Sequence, residues 1–247
     1  MTKTILITGA SSGIGAGMAR EFAQMGYNLA ICARRLERLE TLKQELEQQY
    51  GIRVIAKSLD VTNYDQVFQV FREFKQDFGQ LDRIIVNAGV GEGRRIGKGN
   101  FAINKATVET NFISALAQCE AAVEIFREQN SGHLVVISSM SAVRGMPQHL
   151  TAYGASKAGV AHLAEGIRAE LLNTPIKVTT IFPGYICTEI NEGAKPLPFE
   201  VDEKTGSRLL AAEIEKAPVK AYVPKWPWLP LGLAMKILPL KLVNKLG

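Results

Sequence analysis

Residues 4–15 read TILITGASSGIG. Five aliphatic and β-branched residues run into a cluster of glycines and small hydroxyl residues, and an amphipathic pattern starts at once behind them. A short run with no polar alternation suits a strand covered on both faces. Gly9, Gly13 and Gly15 allow a tight turn and a close backbone approach, while Ser11, Ser12 and Ile14 fill the turn between them. A helix opening there offers unpaired N–H groups and the positive end of its dipole to an anion such as a pyrophosphate.

The same grammar continues outward. Strand-type runs occupy residues 28–33, 53–58, 83–86, 133–138, 177–182 and 221–223. Helical patterns occupy 13–25, 36–50, 63–78, 105–129, 153–172 and 202–216. Alternation of this kind predicts a doubly wound α/β fold, with a parallel sheet of about seven strands and helices on both faces. No repeat or Pro/Ser-rich linker divides the chain, so residues 1–247 are read as a single domain with a basic, apolar tail at 224–247. Two irregular stretches, 90–100 and 185–200, leave strands on the side where open α/β sheets bind ligands and are expected to carry substrate or lid loops.

Composition narrows the function. A chain of 247 residues with 47% hydrophobic and 21% charged residues can build a large core, which excludes a disulfide-stapled miniprotein or a disordered tail. Three cysteines, Cys32, Cys119 and Cys187, form neither a disulfide framework nor a zinc ribbon and fit a reducing, cytoplasmic setting. The start of the chain lacks signal-peptide features, and no run of apolar residues is long enough to span a membrane. Six lysines and no acid follow Glu215, so the rest of the chain holds −1 of the net +5. An excess confined to an apolar tail argues against nucleic acid as a partner. His133, His149 and His162 have no ligand spacing, so no metal is expected, and His133, opening a strand, is read as a surface residue.

Tyr153 and Lys157 stand four apart in a helical pattern, which stacks them on one face. An ammonium beside a phenol favours phenolate, and the pair reads as a proton donor and acceptor with lysine tuning tyrosine downward. TGASSGIG at residues 8–15, Asp60-Val61, Asn87-Ala88-Gly89, Asn111, the serines near Ser139, YGASK at 153–157 and the Pro183-Gly184 stretch through Thr188 follow one another in order. In that order the chain resembles the short-chain dehydrogenase/reductase family.

The resemblance implies a catalytic set of Asn111, Ser139, Tyr153 and Lys157, with Ser141 an alternative to Ser139 because the gap to Tyr153 is one residue longer than usual. It implies that Asp60 and Val61 meet an adenine and that Asn87, Ala88 and Gly89 let the cofactor approach. Pro183, Gly184, Ile186 and Thr188 would hold its carboxamide. Asp60 can also belong to a helix start capped by Thr62 or Asn63. An NAD enzyme would carry an acid after the second strand, but Arg34-Arg35 stand there, which points to NADP(H), with Arg34 as the phosphate clamp and Arg35 assisting.

Such a protein would reduce a carbonyl to an alcohol. Its rivals are a cofactor-sensing or membrane-surface scaffold that has lost turnover, and an NAD-dependent alcohol dehydrogenase. The tail could pack over the substrate cleft, against a second subunit, or on a membrane interface, as a short helix over 231–246 containing Pro239. In each case a hydrophobic, lipid-like carbonyl or alcohol fits better than a sugar. Small residues at Ala155, Ala158, Gly159, Ala161 and Ala164 would allow a dimer or tetramer through the helices near Asn111 and Tyr153.

Overall fold

A computed structural model describes residues 2–189 and 197–243. Seven strands, β1 (Thr4–Thr8), β2 (Asn28–Ala33), β3 (Val54–Ser58), β4 (Arg83–Val86), β5 (Gly132–Ile137), β6 (Ile176–Pro183) and β7 (Lys220–Val223), form one sheet in the order β3-β2-β1-β4-β5-β6-β7. Every pairing is parallel. Parallel neighbours need crossovers, and helices supply them on both faces.

Helices α1 (Gly13–Gln24), α2 (Leu36–Tyr50) and α7 (Glu203–Glu215) share one core with the sheet; α3 (Tyr64–Phe78), α5 (Ser114–Gln129) and α6 (Leu150–Glu170) share the other. This two-sided cover is why β1 is buried at all five positions: Ile5 and Ile7 face the first core and Leu6 the second. Each such side chain contributes about 1.5–3 kcal/mol of burial.

The order reverses beside β1, which pairs with β2 on one side and β4 on the other. A crevice must open there at the carboxyl ends of the strands. Local chemistry fixes the helices that border it. Asn63 caps α3 by accepting from the Gln66 N–H at 3.2 Å, and Asp202 caps α7 by accepting from the Thr205 N–H at 2.8 Å.

Three expectations need correction. The helix predicted to start at residue 105 begins earlier, as α4 (Phe101–Val108), and joins α5 through a π-helical turn at Glu109–Ile113. The tail helix predicted over 231–246 is instead α8 (Lys225–Ile237), stopped where Leu238 turns extended before Pro239, and a short α9 (Leu240–Val243). Residues 244–247 of that stretch, and 190–196 of the predicted loop at 185–200, lie outside the described residues.

His133, expected at the surface, is buried. It accepts from Arg83 Nε at 2.9 Å through Nδ1 and meets Thr179 Oγ1 at 2.8 Å through Nε2, a network at the amino ends of β4 and β5. Among the described residues, no helix is long and apolar enough to cross a membrane and no cluster could hold a metal ion.

Candidate active site

The glycine turn is built by sterics. Gly9 has φ +68°, and a Cβ there would come within 2.8 Å of the Ala88 backbone. At Gly15 a Cβ would strike the Gly9 carbonyl oxygen at 2.3 Å. The turn therefore lies directly against the end of β4, and Thr8 fastens the two: its Oγ1 accepts from the N–H groups of Asn87 (3.0 Å) and Ala88 (3.1 Å). The Asn87 amide donates back to the Thr8 carbonyl at 2.8 Å. Gly13 opens α1 with the Thr188 side chain above it, and Ile14, next in the helix, packs against the first core.

Beside this turn lies a cleft of about 740 Å³ whose wall includes Gly9, Ser11, Ser12, Arg34, Arg35, Asp60, Val61, Ala88 and Gly89. The two arginines differ. Arg35 lies across the turn and donates to Ser11 Oγ at 3.2 Å and to Ser12 Oγ at 2.5 Å, whereas Arg34 is exposed at the rim. Burial pushes the Asp60 carboxyl up, but the backbone and hydroxyl of Thr62 and the charge of Arg34 outweigh it and hold the carboxyl below its ordinary value.

Past Gly89 the polar groups converge. A Cβ at Gly89 would meet Asn111 Oδ1 at 2.9 Å and Lys157 Nζ at 3.4 Å, so only glycine leaves both in place. Asn111 sits in the π turn and clamps the backbone of Val90, accepting from its N–H at 2.8 Å and donating to its carbonyl at 2.9 Å. The added residue of a π turn is what aims this side chain out of a regular helix. Lys157 is buried, donates to the Ile137 carbonyl at 3.0 Å, and burial pushes its ammonium down to about 8.

Tyr153 stands one turn before Lys157 on α6, and the Ser139 hydroxyl lies near enough to act on its phenol. In the structure burial dominates and holds the phenol above its ordinary value, with Ser139 pulling it partway back. A phenol that keeps its proton at neutral pH is the starting state of a proton donor. Ser139 accepts from the Ser141 N–H at 3.1 Å and donates to the Ser141 hydroxyl at 3.3 Å, so the two serines are tied together at the pocket wall. Ser138 is turned away, donating to the Lys157 carbonyl.

On the far side of Ser139 is a second pocket of about 350 Å³. Pro183, Gly184 and Tyr185 form one wall, Met140, Met146 and Leu150 another, and Phe199, Trp228, Leu231 and Met235 close it. The tail therefore packs over the cleft. Sequence reasoning missed Trp228: its indole covers Gly184, where a Cβ would lie 2.1 Å from Nε1, and stands edge-on to Tyr185 with centroids 5.0 Å apart. Ile186 is buried beneath, packed against Gly206. Spacing gives no sign of Trp228, because both faces of its helix are apolar.

The geometry is that of an α/β oxidoreductase, with a nucleotide-sized cleft and an apolar pocket meeting at a Ser–Tyr–Lys–Asn cluster. The profile of the short chain dehydrogenase family matches residues 3–196. An uncharacterized oxidoreductase of Mycobacterium tuberculosis is 50% identical over 242 residues, covering 98% of this chain and 96% of that protein. Among solved structures, a short-chain dehydrogenase from Sphingobium yanoikuyae in complex with NADPH superposes with a TM-score of 0.82 at 26% identity, covering 96% of this chain and 97% of that one. An NADPH-dependent 3-quinuclidinone reductase from Rhodotorula rubra gives a TM-score of 0.78 at 28% identity, covering 87% and 84%. The chain belongs to the short-chain dehydrogenase family of oxidoreductases.

Proposed function

We propose that this oxidoreductase is an NADPH-dependent carbonyl reductase for uncharged, hydrophobic ketones or aldehydes. The observation that carries the reading is the apolar pocket with Ser139 and Ser141 in its wall, beside a tyrosine and a buried, hydrogen-bonded lysine one helical turn apart on α6. A carbonyl oxygen placed there would meet two hydroxyls, and the rest of the substrate would meet methionine, proline and aromatic surface.

The cleft fits a dinucleotide: at Gly9 and Gly15 a Cβ would run into backbone, so glycine keeps the turn tight and bare for a close approach, and the turn opens at the start of α1. Bound there, NADPH would supply the hydride. Ser11, Ser12 and the backbone of the turn would bind its phosphates, and Arg35, already over the turn, would hold the 2′-phosphate together with Arg34. Asp60 and Val61 would meet the adenine, while Asn87, Ala88 and Gly89 line its path. Pro183, Gly184, Ile186 and Thr188 would seat the nicotinamide end. Tyr153 would give its proton to the reduced oxygen, Ser139 would orient that oxygen, and Lys157 and Asn111 would return a proton to the phenol. The structural neighbours that depend on or bind NADPH support this cofactor assignment. The same reading places the chain in the cytoplasm, as a dimer or tetramer assembled through α5 and α6.

Fluorescence titration with NADPH and NADH in parallel tests the cofactor. NADPH should bind more tightly, and Arg34→Ala and Arg35→Ala should each weaken it by about 10- to 100-fold, as expected for a lost charge-assisted contact of about 1.5–3 kcal/mol. Affinity for NADH should hardly change. NADH binding that is tighter and indifferent to both arginines would favour an NAD-dependent alcohol dehydrogenase. Binding without turnover on any hydrophobic ketone would favour a scaffold.

A further inference from the structure

Helix α8 is apolar on two opposite faces. Trp228, Leu231 and Met235 point inward and wall the pocket beside Ser139. Leu233 and Ile237, offset from them along the helix, point outward and are 53% and 85% exposed, and Trp226, at a kink at the start of the helix, is 78% exposed. Leu240 and Leu242 of α9 extend the outer face, and Phe199, which lines the pocket, is itself exposed at its edge. A helix that is hydrophobic all round belongs in a protein core or against lipid. Here one face has its core and the other faces solvent.

Charge selects what covers the outer face. Lys225, Lys236 and Lys241 are exposed along it, and no acidic residue follows Glu215 anywhere in the sequence. Two copies meeting through this face would bring lysines against lysines with no carboxylate from the tail between them. A surface of anionic lipid headgroups would instead receive the lysines while the tryptophan and aliphatic side chains enter the acyl boundary.

We propose that the outer face of α8 and α9 docks the protein on an anionic membrane surface, with the mouth of the pocket at Phe199 toward the bilayer, so that a lipid-dissolved carbonyl compound enters without crossing water. The entry step rests on the reductase reading of the pocket; the docking surface does not.

Co-sedimentation of the full chain with vesicles tests it, using phosphatidylcholine alone and phosphatidylcholine containing phosphatidylglycerol. The protein should sediment with the anionic vesicles and release at high salt. The double variant Leu233→Ser/Ile237→Ser and the double variant Lys236→Glu/Lys241→Glu should each lower the bound fraction about ten-fold. Both should keep the thermal midpoint and turnover on a short, water-soluble ketone. Phe101→Ser, which removes an exposed apolar side chain on α4, should bind as the parent does.

Absence of sedimentation, or sedimentation untouched by Leu233→Ser/Ile237→Ser, overturns the proposal. So does a dimer that this variant splits without any vesicle binding, which would assign the face to a second copy. Vesicle binding in a protein that turns over no ketone would fail the reductase reading while leaving the docking surface in place.

Discussion

Tyr153→Phe should lower kcat for ketone reduction about 10³-fold while the affinity for NADPH stays within about two-fold of the parent, since a positioned general acid contributes roughly 10²–10⁴ in rate. The substitution removes one oxygen from a half-buried ring and leaves α6 and its packing intact. Ser139 keeps its contacts with the N–H and the hydroxyl of Ser141. The pH profile separates a proton donor from a merely structural tyrosine. Lys157 is pushed down to about 8, so its ammonium is lost as the pH rises through that value, and the reduction rate should fall on the alkaline side near there. Lys157→Met should remove that limb and lower kcat at every pH. A Tyr153→Phe enzyme with most of its activity would sink the assignment of the proton donor.

The parts of this molecule that could be read without coordinates are those whose cause is local. The strands at β1, β2 and β4 stand where their uninterrupted aliphatic runs predict, because a strand buried on both faces tolerates little else. Residues 8–15 announce a turn because glycine is demanded at two of its positions by backbone lying within 3 Å.

What escaped the sequence depends on partners far along the chain. The π turn at Asn111 is tied to its amide holding the backbone of Val90, twenty-one positions away, and helical periodicity does not record that. Trp228 sits on Gly184 across more than forty residues, and a tail apolar on both faces cannot say which face turns inward. Spacing likewise supplies the ammonium four residues from Tyr153 but not the depth at which the phenol lies.

His133 is the sharpest case, and it carries the second large prediction: the protein should lose about 2 kcal/mol of folding stability between pH 7 and pH 5 from this residue alone, and about 3 kcal/mol by pH 4. Arginine only donates, so Arg83 Nε fixes His133 Nδ1 as an acceptor and places the ring proton on Nε2. That proton goes to Thr179 Oγ1, whose own hydroxyl donates to the Pro218 carbonyl at 2.5 Å. Arg83 is in turn paired with Glu215, which also accepts from Tyr27 at 2.8 Å. A second proton on the ring would set two donors against each other. Burial first, then the charges of Arg83 and Lys177, push the imidazole down from 6.5 to about 3. Unfolded, it titrates near its ordinary value, so between those limits the unfolded chain holds a proton that the folded chain refuses. The contribution is therefore complete above about pH 6.5 and drains away as the pH falls toward 3. Urea unfolding of the parent and of His133→Gln at pH 7, 5 and 4 measures it. Glutamine can accept from Arg83 and donate to Thr179 without titrating, so its stability should fall less steeply with acid by the amounts given. Since the network lies at the amino ends of β4 and β5, opposite the cleft, kcat at pH 7 should be unchanged in the variant. Parallel pH dependences for the two proteins would show that the imidazole titrates freely in the folded state and that this network does not hold it neutral.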